Sequence, residues 1–261
     1  MNMRPSRALA LLRAGKTVFS VKLNTADPRV TEMAAMMDIP CIWVDNEHVA
    51  NDFRILEQQI YAAKAYNTDI IVRVPRGSYS DYIRPLELDA AGLMVPHIMS
   101  AEDAKNVVYM TRFHPLGRRP VDGGNADAKY CMIPQAEYNR QANQERFIIL
   151  QIEDPEAMEH IDEIAAVPGY DILFYGPGDY SHSIGHSGEF DHPDVVAGFK
   201  KVAEAAKRHG KFAGTVGSPA TARQRMEEGY QYLNLGSDVG ALTGYFKPIA
   251  DFIHDIADEQ K

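Results

Sequence analysis

Residues 146–175 read RFIILQIEDPEAMEHIDEIAAVPGYDILFY, and this stretch decides the fold. Residues 146–152 are a short apolar, β-branched run of strand length, 155–166 carry helical periodicity, and 171–175 are a second apolar run. Two strands joined through a helix pair in parallel, because the helix carries the chain back to the starting edge. The unit repeats in both directions. Apolar runs recur at 17–23, 41–44, 69–74 and 92–97 before it and at 211–216 and 230–235 after it, eight in all. Helical periodicity fills 29–37, 53–65, 101–111, 194–209 and 220–228. Eight such units closing on themselves make a (β/α)8 barrel. An open doubly wound sheet is the alternative, but no strand is followed by the G-x-G-x-x-G or P-loop turn that would seat a nucleotide there.

The length of 261 residues suits one such barrel, so 1–261 are read as a single domain. A long connection at about 113–145, containing Pro115, Gly117, Pro120, Gly123 and Gly124, has the length of a functional loop, and a last helix is expected at about 241–258. With 45% apolar and 24% charged residues the chain can bury a sizeable core and is not of disordered type. A formal charge of −9 without a basic run argues against nucleic acid as a partner. No apolar run reaches the 18 residues needed to cross a bilayer, and residues 1–12 read as an amphipathic opening helix rather than an export signal. Cys41 and Cys131 lack any CxxC or zinc-type neighbourhood. A soluble, cytoplasmic protein is expected.

Active sites of such barrels lie at the C-terminal ends of the strands. The polar residues that fall there are Asp45, Glu47 and His48 after the second strand, Arg73 ending the third, Gln151 and Glu153 ending the fifth, and Gly176-Pro177-Gly178-Asp179 after the sixth. Glu153 and Asp179, at the ends of adjacent strands, can converge on one hard divalent cation and leave positions open for water and substrate, which suits magnesium, manganese or cobalt(II). The alternative is that each caps the helix after it. His48 follows Asp45 by three residues, a spacing at which the carboxylate can orient the imidazole as a general base; a structural histidine is the alternative. Arg73 ends an apolar strand, where a guanidinium needs an anion: a developing enolate oxygen, or Asp45 or Glu47. The turn at Gly176–Asp179 presents backbone N–H groups suited to a substrate carboxylate. His182 and His186 read as loop residues.

Taken together these residues resemble the HpcH/HpaI aldolase family, the metal-dependent pyruvate aldolases of the 4-hydroxy-2-oxoheptanedioate aldolase type. The matching stretches run in order along nearly the whole chain: Val44-Asp45-Asn46-Glu47-His48, Val72-Arg73-Val74-Pro75, Met94-Val95-Pro96, Gln151-Ile152-Glu153, Tyr175-Gly176-Pro177-Gly178-Asp179-Tyr180-Ser181 and Ala213-Gly214-Thr215-Val216. The resemblance implies a TIM barrel of the phosphoenolpyruvate/pyruvate-domain type that cleaves a 4-hydroxy-2-oxo acid to pyruvate and an aldehyde. It implies a metal on Glu153 and Asp179, Arg73 on the C2 oxygen, and amides around Gly178 and Asp179, with Val216 opposite, on the substrate carboxylate. His48 oriented by Asp45 would transfer the proton. It also implies a homo-oligomer, possibly a hexamer, with the C-terminal helix packed on a neighbour and Glu87 near a neighbouring subunit's catalytic histidine.

Three places depart from the family pattern. Ser20-Val21-Lys22 stands where the family has Gly-Leu-Trp, Glu87 stands where it has Asp, and Gly117-Arg118-Arg119-Pro120 opens an unusual segment up to Asp127. Other uses of the same enolate are oxaloacetate decarboxylation and an acyl-CoA lyase, the latter drawing on Arg118, Arg119 and Lys129. A barrel without turnover, and a Schiff-base aldolase on Lys22, complete the alternatives.

Overall fold

The computed structural model describes residues 1–260. Eight strands, β1 (Val18–Leu23), β2 (Cys41–Asp45), β3 (Asp69–Arg73), β4 (Gly92–Val95), β5 (Phe147–Ile152), β6 (Ile172–Tyr175), β7 (Phe212–Val216) and β8 (Tyr232–Ser237), pair in parallel in chain order and close β8 onto β1. The expected barrel is the observed one, and each strand lies within two residues of its run in the sequence.

The strands are buried on both sides, which is why they read as continuous apolar runs. Ile148, Leu150 and Ile152 of β5 point outward into the layer beneath the helices, whereas Phe147 and Ile149 point into the barrel. Inside, Trp43 meets Phe174 edge to face at 5.8 Å, and Phe174 meets Tyr232 at 6.3 Å. A first helix, α1 (Arg7–Arg13), lays Ala8, Leu9 and Leu12 on this inner core and closes its floor. The barrel is therefore a plugged cylinder, open to chemistry only at the mouth.

Around it run α2 (Pro28–Met36), α3 (Phe53–Lys64), α4 (Tyr79–Glu87), α5 (Ala101–Thr111) and α6 (Gln135–Glu145). They are followed by α7 (Pro155–Glu159), α8 (Ile161–Ala166), α9 (Pro177–Ser183), α10 (Pro193–Arg208), α11 (Ala222–Glu227) and α12 (Asp238–Glu259). Several differ from the sequence reading. The expected helix over 155–166 breaks into α7 and α8 at His160, whose φ of −104° and ψ of 17° leave the helical region. Helix α4, not foreseen, carries Pro85 inside it, yet Ser78 and Asp81 form a capping box and Tyr82, Ile83, Pro85 and Leu86 are buried. The expected loop at 113–145 ends in α6, whose polar sequence hides any stripe but which buries Tyr138, Gln141 and Ala142. Helix α12 starts three residues earlier than expected, capped by Ser237, whose Oγ accepts from the Gly240 amide. It buries none of its residues on its own chain.

Candidate active site

Asp45 and Arg73 end neighbouring strands and are direct partners in the β2–β3 register. Their side chains meet at the mouth: Arg73 Nε donates to Asp45 Oδ1 at 3.1 Å and Nη2 to Oδ2 at 2.5 Å. Lys22 Nζ, from the end of β1, lies 2.7 Å from the same Oδ2, and the Glu47 amide donates to Oδ1 at 3.0 Å. Burial alone would raise the Asp45 pKa, but the hydrogen bond and field of Arg73, joined by Lys22, outweigh it and hold the carboxyl well below its ordinary range. Arg73 Nε also lies 3.0 Å from Glu47 Oε2, so both anions proposed for it are present.

The expected Asp45–His48 pair is not formed. Asp45 is fully buried under Arg73 and Lys22, whereas the His48 side chain is 63% exposed and has only Glu47 Oε2, 3.5 Å from its Nε2. The reason is the strand end: Asp45 still belongs to the ladder and points inward, and the turn after it carries His48 out to the rim.

Glu153, one residue beyond β5, is 1% exposed. Its Oε1 accepts from the His97 amide at 3.0 Å, and its Oε2 accepts from Gln151 Nε2. Burial raises its pKa to about 7, partly offset by His97, with Asp179 pushing it further up and Arg73 down. Glu153 caps no helix: Asp154 is the N-cap of α7. Asp179 lies in the first turn of α9, exposed, where Gly176 is the N-cap. Gly176 leaves room for these side chains, since a Cβ there would lie 2.6 Å from Glu153 Oε2 and 3.0 Å from Gln151 Nε2. Gln151 Oε1 is buried without a partner.

The donor set fits a hard cation. A buried carboxylate with no Lys or Arg in ion-pair reach and only the imidazole of His97 beside it, 3.6 Å from Oε1, a second carboxylate on the next strand's turn that acts on it electrostatically, and an unused amide oxygen are oxygen donors of the kind magnesium and manganese take. Among the described residues no group of three or more His, Cys, Asp and Glu side chains forms a closed cage. Two such ligands would leave most positions to water and substrate.

Gly178, exposed in the first turn of α9, and Val216, at the end of β7, flank the same opening. Glu87 does not. It ends α4, the end that leads to the floor of the barrel, beside Arg119 and Asp127; burial raises its pKa, countered in part by Arg119. Arg119 is buried against Asp127 Oδ2 at 3.0 Å and Lys129 lies 3.6 Å from the buried Asp89, so the three cations of that loop do not form a free basic cluster.

Two side chains at the mouth escaped the sequence reading. His97, at φ 52°, sits two residues past β4, and its Nδ1 lies 3.0 Å from Asp154 Oδ2. Burial would lower its pKa, but the bond to Asp154 and the fields of Glu153, Asp154 and Glu47 raise it. Trp43 on β2 is flanked by Lys22 and Arg73, 5.1 and 5.0 Å from its ring, with its indole Nε1 buried and unpartnered. A histidine following a Pro after a strand, and a Trp on a barrel strand, were the available signals.

Comparison with known proteins agrees with this arrangement. Residues 19–243 match the family HpcH/HpaI aldolase/citrate lyase. The chain is 31% identical over 248 residues to a 5-keto-4-deoxy-D-glucarate aldolase of Salmonella paratyphi C, covering 95% of this chain and 96% of that one. It is 32% identical over 251 residues to a hydroxypyruvate/pyruvate aldolase of Pseudomonas aeruginosa, covering 96% and 93%. The crystal structure of an HpcH/HpaI aldolase from Desulfitobacterium hafniense superposes with a TM-score of 0.88 at 33% identity, covering 94% and 95%. With its closed parallel barrel and its acidic mouth, the chain belongs to the HpcH/HpaI aldolase/citrate lyase family.

Proposed function

We propose that this protein is a divalent-metal-dependent pyruvate aldolase that reversibly cleaves a 4-hydroxy-2-oxo acid to a pyruvate-type 2-oxo acid and an aldehyde. The observation that carries this reading is the buried Glu153 carboxylate, which lies within the electrostatic reach of Asp179 on the adjacent strand's turn and of Arg73 at the same mouth. Glu153 and Asp179 would hold the cation. When bound, it acts as a Lewis acid that polarises the 2-oxo group.

The chain's own residues do the rest. Arg73, held rigid by Asp45 and Glu47, donates to the C2 oxygen as enolate charge develops there. The amides of Gly178 and Asp179, with Val216 opposite, receive the substrate carboxylate, and Gln151 Oε1 faces the bound group. His48 moves the proton at C3 from its exposed place on the rim, and Glu87 of a second copy is the acid that orients it. Asp45 serves instead as the anchor of Arg73. The relatives named above act on sugar-acid and pyruvate-type substrates by their names, which supports catabolism of such acids as the setting, and a cytoplasmic location belongs to the same reading.

The reading includes a homo-oligomer, with six copies as the number implied by the family resemblance. Its support is α12, which exposes Val239, Leu242, Phe246, Ile249, Ile253 and Ile256 at alternating three- and four-residue spacing. Beside its first turn the barrel leaves an open groove of about 720 Å³ lined by Val21, Leu23, Val30, Met33 and Leu235. The helix borders this groove only with its first turn, so the rest of its stripe can seat in the groove of a second copy.

The deciding experiment is deuterium exchange at C3 of pyruvate with magnesium, manganese or cobalt. Exchange that chelator abolishes and Arg73→Ala suppresses is the expected result. Exchange indifferent to chelator would sink the metal-dependent reading.

A further inference from the structure

Lys22 is a charged group in the mouth that has no part in the reaction as described. It is the fifth residue of β1, in register with Trp43 on β2 and with Ser237 on β8. Its Nζ lies 2.7 Å from Asp45 Oδ2 and 5.1 Å from the Trp43 ring centre, with the side chain 20% exposed.

A counter-ion for Asp45 does not explain this lysine. Arg73 already engages both oxygens of that carboxylate, and the Glu47 amide adds a third donor. Drawing a lysine stem down to a buried acid costs side-chain entropy and ammonium hydration, so a second cation there is an expense without a structural return. An ammonium carries three N–H donors, and Asp45 takes one. Nor does the setting suit a Schiff base: Arg73 is a cationic neighbour, but the amine itself is held in an ion pair with the carboxylate that the two cations share.

Position completes the argument. In the closed strand order β1 lies four strands from β5 in either direction, directly across the mouth from Glu153. With a keto acid placed at β5 and β6 and its C2 oxygen on Arg73 of β3, as the proposed function has it, the β1 side, where Lys22 stands, is the side of the mouth left for a second substrate.

We propose that Lys22 is the acceptor-side catalytic residue: its ammonium donates a hydrogen bond to the carbonyl oxygen of the aldehyde. The proposal rests on the aldolase reading above. As C3 bonds to the aldehyde carbon, the carbonyl π pair becomes a lone pair on the aldehyde oxygen, and the Lys22 N–H stabilises that oxyanion. The proton released from C3 is returned to this oxygen, so no further reactant is needed. In cleavage the hydroxyl gives up its proton, the C–C bonding pair returns to the keto acid as the enolate, and the aldehyde leaves Lys22.

The test compares two reactions of the metal-loaded full-length protein: C3 exchange of pyruvate alone, and aldol addition of pyruvate to the neutral aldehyde propanal. Loss of one oxyanion donor costs about 100-fold, so Lys22→Met is expected to lower addition about 100-fold more than exchange. Lys22→Arg, which keeps a charged donor, should recover most of that difference. Should Lys22→Met not fold, Lys22→Leu, which also lacks a donor, reads the same split. Equal loss in both reactions would make Lys22 a mere support of Asp45 and Arg73 and overturn the proposal, as would no loss in either. A wild-type protein without exchange in magnesium, manganese or cobalt overturns the aldolase reading and this proposal together, whereas exchange with an unchanged split overturns only the role of Lys22.

Discussion

Arg73 grips Asp45 through both nitrogens of one edge, Nε to Oδ1 at 3.1 Å and Nη2 to Oδ2 at 2.5 Å, on the last rung of the β2–β3 ladder. The geometry is a planar fork on a planar carboxylate, which an ammonium cannot reproduce. Arg73→Lys should therefore retain the charge and the fold while lowering kcat/KM for aldol cleavage about 100-fold. Steady-state kinetics with a circular-dichroism melt would check this; near-wild-type turnover would show that charge alone suffices.

Removing the other side of the pair bears on stability. The folded-state pKa of Asp45 is lowered from the ordinary 3.8, so its contribution is fully present above that pH and is lost as pH falls below it. Asp45→Asn leaves Lys22 without its anion and Arg73 with Glu47 alone, and breaking a buried pair from one side costs on the order of 3 kcal/mol. Urea unfolding of both proteins should show that gap at pH 7 and a closing gap below pH 3.8. A gap independent of pH would mean the carboxylate charge is not its source.

Gly176 gives way to the Glu153 carboxylate, and a methyl group there would sit 2.6 Å from Oε2. Gly176→Ala is expected to displace that carboxylate and weaken manganese binding about tenfold, roughly 1.4 kcal/mol, with little change in melting temperature. Calorimetric titration with manganese measures it, and unchanged affinity would remove Glu153 from the cation site.

Assembly through α12 predicts that Phe246→Asp combined with Ile249→Asp, charges in the middle of the exposed stripe, reduces the mass in solution. Sedimentation velocity reads the outcome directly. Retention of the wild-type mass would place the contact elsewhere.

The barrel was legible because its strands are buried on both faces: an apolar run such as Phe147–Ile152 has no other stable place, and eight of them separated by helical periodicity leave few topologies. The position of Glu153, Asp179 and Arg73 at one mouth followed from parallel pairing alone, since parallel strands put all their C-terminal ends on one side. Helices α4 and α6 were not legible, because Pro85 and the polar run of α6 mask signals that only tertiary burial of Tyr82, Leu86 and Tyr138 overrides. The partners of Asp45 also lay beyond the sequence. Spacing along the chain offered His48, but the inward pleat at the end of β2 delivers Asp45 to Arg73 on one neighbouring strand and to Lys22 on the other. Local order thus determined which residues reach the mouth, and the closure of the barrel, by setting strand neighbours and pleat, decided which of them touch.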